Sequence, residues 1–265
     1  MLALDDGGRH RAAATILAAP RHLESFVEHL WVEDVRPARH PALRRIVPDH
    51  APHLIWHRFG GDSGQLTVIG ARTRAQVIDV TRRTVTVGAR LRPGALRILM
   101  NRPANVFTDH SLPIAYAFAL PPALLHDLES APFQSIERAL SLMSATLEHL
   151  ARPSVATDAR IVRLARLLGD HGDLPQTIAG IVSTLRVPER TVRAWSLSHF
   201  GMAPKQILRI RRLHRAIELH MASPAEPWSS IAFSAGFADQ AHLIRDCRAL
   251  LGVPPLAFMR GAGPA

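Results

Sequence analysis

The stretch Ile231–Gly252, IAFSAGFADQAHLIRDCRALLG, decides the fold of the C-terminal half. Ser230–Ala235 reads as a short helix, and Gly236 supplies the left-handed residue of a tight turn. Asp239 then caps a second helix, Gln240–Leu250, which runs to Gly252.

A corresponding segment lies upstream. Ile181–Val187 (IVSTLRV) corresponds to Ile231–Phe237, an offset of 50 residues, and Gly201-Met202-Ala203-Pro204 corresponds to Gly252-Val253-Pro254-Pro255, an offset of 51. Self-similarity at such a period marks a repeated supersecondary unit. In the first copy, Thr177–Leu185 is the first helix and Pro188-Glu189 opens the second, with proline where its missing N–H costs little. A short helix packed across a second one at a tight turn is a helix-turn-helix, whose second helix enters the DNA major groove. Between the copies, Pro204–Met221 reads as one long helix with an apolar stripe of Ile207, Leu208, Ile210, Leu213, Ile217 and Met221. Such a helix would hold the two units rigidly apart. Reading helices about 34 Å apart meet successive major grooves on one face of the duplex.

Residues 160–260 resemble the DNA-binding domain of AraC/XylS-family transcription regulators. The matching residues are Arg212-Leu213-x-Arg215-Ala216, Ile231-Ala232-x-x-x-Gly236-Phe237-x-Asp239-Gln240-x-His242-Leu243-x-Arg245, and Gly252-Val253-x-Pro255-x-x-Phe258-x-Arg260. The first copy departs from the pattern: Val182 stands where the family has alanine, Arg186 where glycine is frequent, and Ala194 and Ser196 where an arginine and a phenylalanine are common. Phe200 or Trp195 would supply the missing aromatic volume. Cys247 likewise replaces a phenylalanine.

By this resemblance the chain is a sequence-specific, DNA-binding activator or repressor, and not an enzyme. The resemblance implies DNA contact by Gln240, Ala241, Ile244, Arg245 and Arg248 in the second unit. In the divergent first unit the expected contacts are Arg190, Thr191, Arg193 and Ala194, where Arg190 and Arg193, one turn apart on the helix, supply a shifted reading surface; Arg248 and Arg211 are phosphate candidates. Glutamine pairs with adenine and arginine with guanine by two hydrogen bonds each. Ile181, Leu185, Val192, Ile231, Phe237, Leu243 and Phe258 read as core.

Upstream the text changes character. Phe26–Val32, His53–Phe59, Gln65–Gly70, Gln76–Val80 and Thr84–Leu91 are short runs rich in Val, Ile, Thr and Trp, separated by turn signals such as Pro48-Asp49 and Gly60-Gly61-Asp62. This spacing predicts a small antiparallel barrel or sandwich, with a short helix inside it at Pro93–Arg102. From Pro121 the apolar residues recur at helical spacing as far as Leu150, and Ala151–Thr157 reads as a linker. The expected fold class is therefore α+β, with a β-rich domain over 1–115, a helical connector over 116–155, and an all-α domain over 156–265.

The β-rich region also resembles the N-terminal regions of some of these regulators, through Phe26–Trp31, Arg45-x-x-Pro48-Asp49 and Arg90–Gly94. By that analogy it binds a small effector or mediates dimerisation. Trp31, Trp56 and Phe59 would line the mouth for an apolar ligand, or else they simply fill the barrel. Asp49, His50, His53 and His57 cluster in sequence, but His53 and His57 on a strand lie about 13 Å apart, too far to share a metal. No nucleophile elbow or phosphate loop occurs, so no catalytic residue, metal or cofactor is expected. The partners implied are double-stranded DNA, a small-molecule effector, RNA polymerase and a second copy of the chain. The rival reading is a bifunctional chain whose enzymatic or metal-binding β domain is fused to a DNA-binding module.

Composition agrees with a folded chain in the cytoplasm. The 265 residues are 47% hydrophobic and 20% charged, which excludes general disorder. Apolar runs fall short of the roughly 18 residues a membrane span needs. A signal peptide is not expected at the acidic N-terminus. The single cysteine, Cys247, suits a reducing compartment. The net charge is +10, and of 32 basic residues only Lys205 is a lysine. Six of those ten charges fall in residues 156–265. An arginine-rich coding bias would produce the same excess, so charge alone does not name the partner.

Overall fold

In the computed structural model, residues 3–5, 14–35, 43–59, 63–79, 83–130, 136–151, 158–169 and 177–260 are described. Apart from Ala151, the expected linker lies outside them. The N-terminal half holds strands β1 (Ala3–Asp5), β2 (Thr15–Ala18), β3 (Val27–Val35), β4 (Leu43–Ile46), β5 (His53–Phe59), β6 (Gln65–Ile69), β7 (Gln76–Asp79), β8 (Thr84–Leu91) and β9 (Ser111–Pro113). They form two antiparallel sheets, a six-stranded one in the order β2-β3-β8-β5-β6-β9 and a three-stranded one in the order β1-β4-β7. Strands β2 and β9 end the large sheet without pairing to each other, so it does not close into a barrel.

Strand alternation gives the large sheet two different faces. On one, Leu30, Val32, Leu54, Trp56, Val87 and Ala89 are buried against two helices, α3 (Pro122–Ser130) and α4 (Ile136–Ala151), which contribute Leu128, Met143 and Leu147. The helices expected to connect the two halves thus share a core with the sheet. Each buried leucine, valine or methionine among them contributes about 1.5–3 kcal/mol by leaving water. The opposite face, with Trp31, Glu33, Ile55, His57 and Thr86, looks across a cavity of about 420 Å³ at Arg44, Ile46, Gln76 and Ile78 of the small sheet. Trp31 lies flat over Gly88. A Cβ there would sit 2.0 Å from the indole, so only glycine fits.

The expected short helix is α1 (Ala95–Met100), and α2 (Ile114–Ala117) follows it. The C-terminal half is helical: α5 (Ala159–Leu168), α6 (Ile178–Leu185), α7 (Glu189–Phe200), α8 (Pro204–Ala222), α9 (Trp228–Ser234), α10 (Gln240–Leu251) and α11 (Pro255–Met259). Ile181, Val192, Ile210, Leu213, Ile231, Leu243 and Phe258 form a second core, which also takes in Val47 and Ala71 from the N-terminal half. Of the residues expected in this core, Leu185 is only half-buried. Cys247 is buried there, and its thiol is pushed up to about 12 by burial and then by the nearby Asp246 charge. Among the described residues no helix is long and apolar enough to cross a membrane.

The two halves are joined by hydrogen bonds. His214 donates to the Pro48 carbonyl at 2.7 Å, the Ala75 N–H to the Leu250 carbonyl at 2.7 Å, and the Thr108 hydroxyl to the Gly201 carbonyl at 2.6 Å.

Candidate nucleic-acid interface

The repeat read from sequence is a geometric repeat. Helices α7 and α10 each span 12 residues and each end at a left-handed glycine with φ of 80°, Gly201 and Gly252. Their N-termini are built differently. Asp239 accepts a hydrogen bond from the His242 N–H at 2.6 Å to start α10, after a turn whose Gly236 has φ of 86°. Before α7 the turn residue is Arg186, left-handed at φ of 53°, and Pro188 stands at the helix start without a side-chain cap.

The missing aromatic of the first unit has a simple structural answer. Ser196 is fully buried and donates its hydroxyl to the Met202 carbonyl at 2.6 Å, tying the end of α7 to the loop beyond it. Phe200 fills the adjoining core, whereas Trp195 is half-buried with the Arg160 guanidinium 5.3 Å above its ring. His242 packs edge-on against Phe237.

The residues expected to touch DNA differ in their exposure. On α7, Arg190, Arg193 and Ala194 are exposed and Thr191 is half-buried; on α10, Gln240, Ala241, Arg245 and Arg248 are exposed and Ile244 is half-buried. At the offset of 51, Ala194 takes the place of Arg245, so the guanidiniums of the first unit sit at Arg190 and Arg193 instead. Among the described residues none of these four guanidiniums has a hydrogen-bond or ion-pair partner.

The arginines of α8 are engaged in the fold. Arg209 grips Asp246 of α10 at 2.7 and 3.2 Å. Arg215 donates to the Ser234 carbonyl at 3.0 Å, and Arg212 lies over the Phe237 ring at 5.5 Å. Arg211, the further phosphate candidate, is half-buried and donates to the Leu167 carbonyl at 3.1 Å, tying α8 to α5. Position along the helix stripe could not separate these roles; only the tertiary partners do. Helix α8, about 28 Å long at 1.5 Å per residue, is thus pinned to the helices on either side of it.

The sheet cavity is the second candidate site. Trp31 lines it, and its buried indole N–H has no hydrogen-bond partner among the described residues. Trp56 does not line it. On β5 the even positions Leu54 and Trp56 face the helices, and the Trp56 N–H is donated to the Leu128 carbonyl at 2.9 Å. The side chain of Phe59 lies outside the described residues. The sequence reading missed the polar pair at the centre of the cavity wall, where Arg44 meets Glu33 at 2.5 and 2.6 Å with both side chains buried.

The histidine cluster divides. His57 faces the cavity, whereas His53 donates to Asp49 at 3.1 Å in a buried network completed by Arg90, which meets both Asp49 oxygens at 2.9 and 3.0 Å. Burial opposes the Asp49 charge, but the Arg90 charge and the hydrogen bonds from His53 and Arg90 outweigh it and hold its carboxyl well below the usual range. Among the described residues no group of three or more His, Cys, Asp or Glu is disposed to hold a metal.

Comparison with known proteins adds a family for each half. Residues 181–261 match a family described as a helix-turn-helix domain, and residues 15–113 match one described as a domain of unknown function, DUF6597. No curated sequence relative matches. Among solved structures, ToxT from Vibrio cholerae O395 is 14% identical with a TM-score of 0.44, over 91% of this chain and 100% of that one. The same protein bound to (E)-4-(8-methylnaphthalen-1-yl)but-3-enoic acid is 14% identical with a TM-score of 0.45, over 89% and 99%. Unsaturated fatty acid bound wild-type ToxT from Vibrio cholerae strain SCE256 is also 14% identical, with a TM-score of 0.43 over 87% and 94%.

Proposed function

With residues 181–261 recognised as a helix-turn-helix domain of the AraC type, we propose that the chain is a sequence-specific transcription regulator whose two units read successive major grooves. The observation that carries this reading is the division of labour among the arginines. Those of α8 are spent on the scaffold, while Arg190, Arg193, Arg245 and Arg248 stand exposed on the two repeated helices. Unpaired guanidiniums on rigid helices are what bidentate contact with guanine and phosphate requires. Gln240 and Arg245 read bases in the second unit, and Arg190 and Arg193 shift the reading surface of the first.

The cavity between the sheets takes a small effector of mixed polarity. Its wall combines Trp31, Ile55 and Ile78 with Glu33, Arg44 and Gln76, the mixture that fixes a small ligand's orientation while burying its apolar part. The effector acts by shifting the population between DNA-competent and DNA-incompetent arrangements. RNA polymerase and a second copy of the chain are the remaining partners of such a regulator.

Selection of bound sequences from a random duplex pool tests the reading. The expected result is a site with two recognised half-elements about one helical turn apart, and affinity that falls linearly with salt on a log–log scale. Binding with no sequence preference and no salt slope would overturn it.

A further inference from the structure

We infer that strand β4 transmits the state of the sheet cavity to the C-terminal end of α10, with Arg45 as the positioning residue of that coupling. The inference rests on the cavity being the effector site proposed above.

Alternation along β4 and the residues after it sends successive side chains to opposite faces. Arg44 and Ile46 face the cavity, where Arg44 is bound to Glu33 of the opposite sheet. Arg45 and Val47 point the other way. Val47 is buried in the core of the helical half, and the Arg45 guanidinium donates to the carbonyl of Leu251, the last residue of α10. The next residue, Pro48, accepts from His214 of α8. The neighbouring strand and its lead-in repeat the pattern. Gln76 and Ile78 line the cavity, while the Ala75 N–H is donated to the Leu250 carbonyl. The small sheet is therefore a wall one strand thick, with the cavity on one side and the end of the second reading helix on the other.

The chemistry of Arg45 makes this contact sensitive to position. It is a buried cation with no carboxylate partner among the described residues, and one of its terminal nitrogens has no hydrogen bond. Its compensation is the negative end of the α10 dipole and the Leu251 carbonyl, which has no partner within the helix. A contact of that kind weakens steeply when donor and acceptor separate. Arg45 also lies against Gly252, where a Cβ would stand 3.2 Å from its guanidinium, so there is little slack for the strand to move without moving the helix end. A ligand that displaces Glu33 from Arg44, or that presses on Ile46, shifts the backbone that carries Arg45.

The test is hydrogen exchange of the full chain, read at the amides of residues 248–253, in Glu33→Gln, in Thr86→Leu, which fills the cavity and leaves the ion pair intact, and in each combined with Arg45→Ala. We expect each cavity variant to speed exchange of that segment at least threefold and to leave residues 181–192 unchanged. With Arg45→Ala in place the segment exchanges faster from the start, and neither cavity variant adds to it. Unchanged exchange at 248–253 in both cavity variants, or the same increment with and without Arg45, overturns the coupling. If Glu33→Gln fails to fold, Thr86→Leu decides alone. Binding of a labelled mixed-sequence duplex is measured in parallel. Failure to bind the duplex removes the regulator reading, while the exchange result still decides the coupling.

Discussion

The guanidinium of Arg209 on α8 meets both carboxylate oxygens of Asp246 on α10, joining the central helix to the second reading helix. Asp246 is buried and Arg209 is about a quarter exposed. The pair ties α10 to the central helix. Asp246→Ala is expected to cost about 2 kcal/mol, below the 3–5 kcal/mol of a fully buried pair because water reaches the guanidinium. Urea denaturation measures the loss. Duplex affinity should fall more than stability predicts, because the reading helix loses its orientation.

On the same helix, Arg245 and Arg248 differ in what their loss should do. Arg245→Ala is expected to cost about 1–3 kcal/mol against the preferred site and to erase preference at one base position. Arg248→Ala should weaken all sequences alike and reduce the salt slope by about 1. Fluorescence anisotropy across a salt series, on preferred and scrambled duplexes, separates the two. An unchanged sequence preference in Arg245→Ala would remove that residue from the reading set.

Arg186 holds a left-handed conformation at φ of 53° that glycine adopts without strain. Arg186→Gly is therefore expected to raise stability by about 1 kcal/mol, seen as an increase in Tm. A fall in Tm would mean that the side chain makes a compensating contact.

Gly88 is the opposite case. Its Cα is covered by the Trp31 indole, and a methyl group there overlaps the ring. Gly88→Ala is expected to cost about 1–3 kcal/mol by overpacking and to shift tryptophan fluorescence as Trp31 moves toward the cavity.

Acid should destabilise the chain in two stages. Burial lowers the affinity of His53 for protons below its ordinary value of 6.5, with Asp49 partly opposing, and burial likewise lowers His57. The unfolded chain therefore takes up protons first, and stability falls as pH drops below about 6.5 until the folded histidines also titrate. Asp49 contributes stability above the ordinary carboxylate value of 3.8 and loses it as pH falls through the lower folded value. Urea midpoints should decline between pH 7.5 and 5, and His53→Gln should flatten that decline.

Much of the C-terminal half was legible because its signals are local. Gly236 and Gly252 take left-handed turns because they lack a Cβ, Asp239 caps a helix through its carboxylate, and a left-handed glycine ends the second helix of both units. The exposed positions of α7 and α10 follow from helical period once those ends are known. The N-terminal half was legible only where strands alternate or run apolar. Strand β4 was missed because LRRI, with two adjacent arginines, does not look like a strand with both faces buried. The side of the sheet that Trp56 faces was open for a related reason: an aromatic on a strand says that a face is buried, not which one.

By itself, then, the sequence determined the helical repeat, its caps and the outward arginines, because a helix end is set by interactions within a few residues. Only the tertiary structure decided which arginines are free to meet DNA, and that Arg44 meets the cavity while Arg45 meets the end of α10. Those outcomes depend on partners far along the chain: Asp246 lies 37 residues from Arg209, and Leu251 lies 206 from Arg45. A buried charge is tolerated only where the fold brings it a counter-charge or a carbonyl, and no local pattern records where that partner comes from.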